Sequence, residues 1–266
     1  MRFVHISDTH IAANPEYVRY GHAPLPNLEA LVEAINALTF PVDFVLHTGD
    51  LAADGTENAY RIARRVLARL RLPIYYVAGN HDDPDILQRA MLGRAPAGPR
   101  FDYSLTVGGV IVAVLDSRGP EDPGGTLTDG QLAAVRSLCS PEGPPLLIAI
   151  HNPPLRLDSP WLDGGWVTPN GKTVSMLLNR GPEFVEAIAP ARDRIRGVFF
   201  GHVHRAYQLV HRGILYSSSP SSFGQFLTWP GQEAPEAALA EPAGFSLVTI
   251  TDEQTTVRLH AIARPS

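Results

Sequence analysis

Several things are scarce in this 266-residue chain, and each scarcity narrows what it can be. It has one lysine, Lys172, so all but one of its 22 basic residues are arginines. It has one cysteine, Cys139, which leaves no disulfide framework and no cysteine-built zinc site. Its longest apolar run, near residues 107–115, is too short to span a bilayer. The opening Met1-Arg2-Phe3-Val4-His5-Ile6 passes straight into a strand pattern, without the apolar stretch of a signal peptide. Net charge is −5 and the pI about 6.0, so nothing points to electrostatic capture of nucleic acid or an anionic membrane. A soluble, cytoplasmic protein is expected.

What is present is enough to build a core. Hydrophobic residues make up 44% of the chain, and neither an internal repeat nor a linker interrupts it. Residues 1–266 are therefore expected to form a single domain, closed by a C-terminal hairpin at about 244–263. Phe3 to Ser7, Val42 to His47 and Leu72 to Ala78 read as short buried strands. Helices alternate with them at 27–38, after Thr56, and from Pro84 to Leu92. A hairpin around Gly108-Gly109 follows, then a helix opened by a Thr128/Gln131 capping box. Leu146 to Ile150, a helix at 182–189 and a strand at 197–200 complete the pattern. Residues 152–175 read as a long loop. Arg61, Arg64, Arg65 and Arg69 lie mostly off the buried face of their helix and read as a solvated surface.

Five of the strands end in groups that can do chemistry. The ends carry Asp8 and His10, Asp50, Asn80 and His81, His151, and His202 and His204. In open α/β sheets, sites form just beyond the carboxyl ends of strands. All these donors are oxygen or imidazole nitrogen, with no thiolate, a set that suits Mn, Fe, Zn or Co. Asp8-x-His10 and His202-x-His204 each put two side chains on one side of an extended segment. With His81 set aside, seven ligand candidates are too many for one catalytic ion and about right for two, which need a bridging carboxylate. A lone histidine beside a strand is more often a packing residue. His5, His22, His47, His211 and His260 are read that way.

The series Asp8-x-His10, Gly49-Asp50, Gly79-Asn80-His81-Asp82, His151 and Gly201-His202-x-His204 resembles the calcineurin-like metallophosphoesterase superfamily, in that family's order. His151-Asn152-Pro153-Pro154, Gly201-His202-Val203-His204-Arg205, Ser219-Pro220-Ser221-Ser222 and Gly244-Phe245 are similar to its bacterial cyclic-AMP phosphodiesterase and glycerophosphodiesterase branch. The resemblance implies a four-layer α/β/β/α sandwich of two mixed sheets. It implies two transition-metal ions: one on Asp8, His10, Asp50 and His204, the other on Asp50, Asn80, His151 and His202. It also implies in-line attack of a metal-bound hydroxide on a small phosphodiester, with His81 not a ligand but a proton donor to the leaving oxygen. Dimers and higher oligomers occur in this branch, and exposed loop tryptophans would fit such an interface. The motif at His151 often has a second histidine where this chain has Asn152. The family often has Asp or Asn three residues after the bridging aspartate, orienting the histidine of the Asn-His pair. Here that place is Ala53, so Asp54 or Asp82 takes the role, or His81 is held less firmly.

Two loops, 14–24 with Tyr17, Arg19, Tyr20 and His22, and 152–175 with Trp161, Asp163, Trp166 and Lys172, are candidates to overhang the metals. The rival readings are a phosphomonoesterase or nucleotide pyrophosphatase on the same site, and a scaffold that has lost the chemistry. A nuclease would want a basic groove, and a protein phosphatase long partner-binding additions; the chain shows neither.

Overall fold

The structure is a computed structural model describing residues 1–120, 123–167 and 170–262, with Trp166 described by its backbone alone. Its strands are β1 (Arg2–Ile6), β2 (Phe44–His47), β3 (Ile74–Tyr76), β4 (Tyr103–Val107), β5 (Val110–Leu115), β6 (Leu146–Ile150), β7 (Trp166–Val167), β8 (Thr173–Val174), β9 (Ile195–Phe200), β10 (Gln208–His211), β11 (Ile214–Ser218), β12 (Gly244–Ile250) and β13 (Thr255–Ala261). The helices are α1 (Pro24–Asn36), α2 (Glu57–Leu67), α3 (Pro84–Leu92), α4 (Asp129–Leu138), α5 (Pro160–Asp163) and α6 (Gly181–Ile188).

Two sheets carry the fold, one ordered β13-β12-β1-β2-β3 and the other β10-β11-β9-β6-β5-β4. In the second, four parallel strands are flanked by an antiparallel strand at each edge; in the first, parallel β1-β2-β3 runs out to one edge and antiparallel β12 and β13 complete the other side. Side chains alternate across a strand, so each central strand must be apolar on both faces. In β6, Leu147 and Ala149 face the layer between the sheets, with Phe3, Phe44, Val112 and Phe199. Leu146, Ile148 and Ile150 face outward, onto the cluster that contains Leu132 and Phe184 of α4 and α6. In β1, Phe3 points inward, while Val4 and Ile6 pack with Leu28, Leu31 and Tyr60 of α1 and α2. The result is the expected α/β/β/α sandwich.

Local chemistry sets the helix ends. Thr56 accepts from Ala59 N–H, and Thr128 and Gln131 form the reciprocal capping box. Helix α1 starts earlier than its apolar spacing implies, because Pro24 and Pro26 fit a first turn that needs no N–H donors. The stretch 152–175 is not the unbroken loop its Pro and Gly content predicts: it holds α5 and the β7–β8 pair. At 244–261 the predicted hairpin forms, and β12 inserts beside β1.

Candidate metal centre

The parallel strands β1, β2, β3, β6 and β9 deliver their carboxyl ends to one place. There the backbone turns sharply: Asp8, His10, Asp50, His202 and His204 all have positive φ, between 45° and 74°. Non-glycine residues rarely sit in this region, and they do so at sites where the surroundings hold them. The turns are fastened across strands. Asp8 N–H donates to Gly49 O and His10 N–H to Asp50 O, each at 3.0 Å, and Ser7 forms a bridge to Ser221, in the connection that follows β11. Glycines let the elements close. A Cβ on Gly79 would lie 2.2 Å from Asp50 Oδ1, and one on Gly49 would lie 2.3 Å from His151 Nδ1.

All seven predicted ligand residues converge. Asp8, His10 and His204 form one group, and Asp50, His151 and His202 another. His10 Nε2 is 2.9 Å from His204 Nε2, and His204 Nε2 is 3.6 Å from Asp8 Oδ1. His151 Nε2 is 3.0 Å from Asn80 Oδ1 and 3.1 Å from His202 Nδ1. Asp50 Oδ2 lies between the groups, 3.5 Å from His10 Nε2 and 3.4 Å from His151 Nε2.

The outward hydrogen bonds fix which nitrogens are free. His151 Nδ1–H donates to Thr48 O at 2.7 Å, and His204 Nδ1–H donates to Gly224 O at 3.1 Å. Each neutral ring then turns an Nε2 lone pair inward. His151 Nε2 thus turns a lone pair toward an amide oxygen and a carboxylate oxygen, and of the three neighbours named only His202 Nδ1 can offer it a hydrogen. Acceptors gathered in this way favour a positive charge at their centre. In the metal-free chain a proton can supply it: despite burial, Asp50 and Asp8 raise His151 to about 9. Burial holds His10 and His202 well below the ordinary imidazole value and His204 at about 4. Burial, with the nearby Asp50 charge, lifts Asp8 to about 7, while Asp50 stays well below its ordinary value under the His151 and His81 charges. The donor set and the converging acceptors therefore fit metal ions.

His81 stands beside the centre. Its backbone N–H donates to Asp50 Oδ1 at 2.9 Å, and its Nδ1–H donates to the Ala53 carbonyl at 2.9 Å. The orienting partner is thus neither Asp54 nor Asp82. Asp54 caps Thr56. Buried Asp82 ties the loops together, accepting from Leu51, Ala52 and Gly79 N–H and from the Tyr60 hydroxyl. Asn152 faces away from the centre, exchanging hydrogen bonds with Ser117 and donating to Pro123 O. Of the histidines read as packing residues, His47 is a support. It accepts from Gly49 N–H at Nδ1, so its Nε2–H is donated to Thr9 Oγ1, whose own proton goes to Leu51 O.

A cavity of about 350 Å³ opens over Asp50, Asn80, His81, His10, His202 and His204. Tyr17, Arg19 and Tyr20 reach it from the 14–24 loop, while His22 packs on Phe223. From 152–175, Trp161 lines it, whereas Asp163 pairs with Arg156. Trp161 is not an exposed interface residue: it is 2% exposed and donates to Leu227 O. The Trp166 side chain lies outside the described residues. Sequence reading missed Phe223 and Phe226, which form a wall beside His204. Their place just after Ser219–Ser222, at the end of β11, was the available signal.

The sequence pattern of calcineurin-like phosphoesterases matches residues 1–206. The chain belongs to that family. It is 30% identical over 224 residues to the 3',5'-cyclic adenosine monophosphate phosphodiesterase CpdA of Pseudomonas aeruginosa, covering 84% of this chain and 76% of that one. It is 28% identical over 233 residues to the glycerophosphodiester phosphodiesterase GpdQ of Enterobacter lignolyticus, covering 85% and 78%. The fold matches a dimetal phosphatase from Danio rerio with a TM-score of 0.69 at 14% identity, over 98% of this chain and 96% of that one. This calcineurin-like phosphoesterase is a hydrolase with residue clusters able to hold two metals. Among its described residues no helix is long and apolar enough to cross a membrane.

Proposed function

We propose that the protein is a two-metal phosphodiesterase of small phosphodiesters. The observation that carries this is Asp50 Oδ2, which faces both imidazole groups at 3.5 and 3.4 Å, as a bridging ligand must. In this reading Asp8, His10, Asp50 and His204 hold one ion, and Asp50, Asn80, His151 and His202 the other. Oxygen and imidazole donors accept Mn, Fe, Zn or Co. When bound, such ions supply positive charge at the phosphoryl oxygens and lower the pKa of the attacking water.

The chain's own residues do the remaining work. With Nδ1–H committed to Ala53 O, His81 can hold a proton on Nε2 for the departing alcohol. Asp50 both bridges and accepts the His81 N–H, so the acid and the metal centre keep a fixed spacing. Beyond the histidine floor, the described cavity wall is largely aromatic and apolar, with one guanidinium, Arg19. That suits a monoanionic diester with an organic arm on each side. The names of the relatives, a cyclic-nucleotide and a glycerophosphodiester phosphodiesterase, point to the same class. Because both sheets build one centre, we also take the chain to be a single domain.

The test is the initial rate on an aryl phosphodiester and the matching monoester, with protein stripped of metal and then reloaded with Mn. Diester hydrolysis that appears on reloading is expected. Preference for the monoester would move the assignment to a phosphomonoesterase or pyrophosphatase. Inertness toward both substrates with every metal tried would leave the scaffold reading.

A further inference from the structure

The guanidinium at the cavity rim has no part in the bond-breaking step above. Arg19 is exposed, lines the cavity, and hydrogen-bonds the Tyr20 hydroxyl at 3.1 Å, with Tyr17 as its other phenolic partner. Among the described residues no carboxylate pairs with it. The other arginines that form ion pairs here, such as Arg118 with Asp116, meet carboxylates. A cation steadied by neutral phenols keeps its charge available to a ligand.

The segment presenting it is built for the purpose. Arg19 and His22 exchange both backbone hydrogen bonds at 3.0 Å, closing a two-residue hairpin turn with Tyr20 at φ 53° and Gly21 at φ 73°. Positive φ at both central residues is the turn that wants Asn-Gly, and a tyrosine there is strained. The strain puts the Tyr20 ring on Phe226, centroids 5.5 Å apart, with Phe226 5.1 Å from His204 and the Arg19 guanidinium 4.8 Å from the Tyr20 ring. An aromatic wall therefore runs from the metal centre to a cation.

We infer that Arg19 is a specificity-determining residue that reads a second anionic group, carboxylate or phosphate, on one alcohol arm of the diester. This rests on the phosphodiesterase reading of the site. The wall covers the arm, and the guanidinium receives the charge at its end. Arg19→Ala should therefore cost affinity for charged-arm diesters beyond any loss with an uncharged arm.

The experiment uses the Mn-loaded protein and three 4-nitrophenyl diesters, whose second alcohol is a plain alkyl chain, a chain ending in carboxylate, or a chain ending in phosphate. The wild type should show the lower KM for at least one charged arm, and which one identifies the anion. Arg19→Ala should raise that KM by about 3–10-fold more than the KM for the plain arm, with kcat shifting far less. Arg19→Lys should keep part of the preference, and about 0.5 M salt should remove most of it. Binding of the matching non-hydrolysable phosphonates, followed by calorimetry, gives the same comparison without turnover. An unchanged ratio of KM values, or of phosphonate affinities, in Arg19→Ala overturns the inference while leaving the phosphodiesterase reading intact. Failure of the wild type to hydrolyse any of the three removes both.

Discussion

His81 donates its Nδ1–H to a backbone carbonyl, that of Ala53. Such an acceptor is invisible in a sequence, because every residue carries one. The metal-ligand candidates were legible because imidazole, carboxylate and amide side chains at strand ends are rare together. Ala53 O carries no such signature, whereas the Asp54 carboxylate next to it does. Asp54 spends one oxygen on Thr56 N–H and hydroxyl. Replacing Asp54 with Ala is therefore expected to cost about 1 kcal/mol of stability, as loss of a local cap does, and to change kcat by no more than about threefold. His81→Ala should lower kcat about 100-fold or more, most for diesters with poor leaving groups. Paired thermal melts and leaving-group series check both. A large, leaving-group-dependent loss in Asp54→Ala would mean that the carboxylate reaches the histidine in turnover.

At the scale of elements, each site-forming segment is a strand, a tight approach and a ligand candidate. The apolar strands were legible because burial on both faces leaves continuous runs of Val, Ile, Leu and Phe. The loops were less so. Residues 152–175 fold into a short helix and a strand pair whose order comes from tertiary contacts, such as Trp161 Nε1–H to Leu227 O, and not from local propensity. The close approach of β2 and β3 explains Gly79. With a Cβ 2.2 Å from Asp50 Oδ1 and 2.3 Å from Asp50 N, Gly79→Ala must move the carboxylate or split the strand ends. About 2–4 kcal/mol of stability should be lost. Metal affinity, titrated by calorimetry, should fall at least about tenfold. Unaltered metal binding would show that Asp50 does not bridge.

At the scale of the whole molecule, the two sheets meet around buried polar residues as well as apolar ones. His5 lies on β1, edge-on to Phe199 of β9, with Nε2 2.9 Å from Thr48 Oγ1. Burial, and then the His47 charge, push it down to about 3. An unfolded chain holds this imidazole near 6.5, so its folded pKa is depressed. The stability it contributes is complete above about pH 6.5 and is lost as pH falls toward 3, where the unfolded chain takes up a proton the fold refuses. Asp8, raised by burial, works in the opposite sense. A His5→Gln variant isolates the histidine, since Asp8 is common to both proteins. In urea melts, the variant should gain on the wild type by up to about 1.4 kcal/mol per pH unit below 6.5. A constant gap would mean that His5 is protonated in the fold.

The same sheet has an end-to-end closure. Strand β1 is flanked by β2 and by β12, and the Met1 amine donates to Ile250 O across 249 residues of sequence. During synthesis, a ribosome that has released everything up to His204 has delivered all seven ligand candidates. At that moment β1 still has an open edge, because its second neighbour has not been made. Sheets built on such distant pairings form late and slowly. A nascent chain of this length should carry the ligands and still hold its metals poorly. Metal loading would then follow synthesis of β12, a schedule written into the order of five strands.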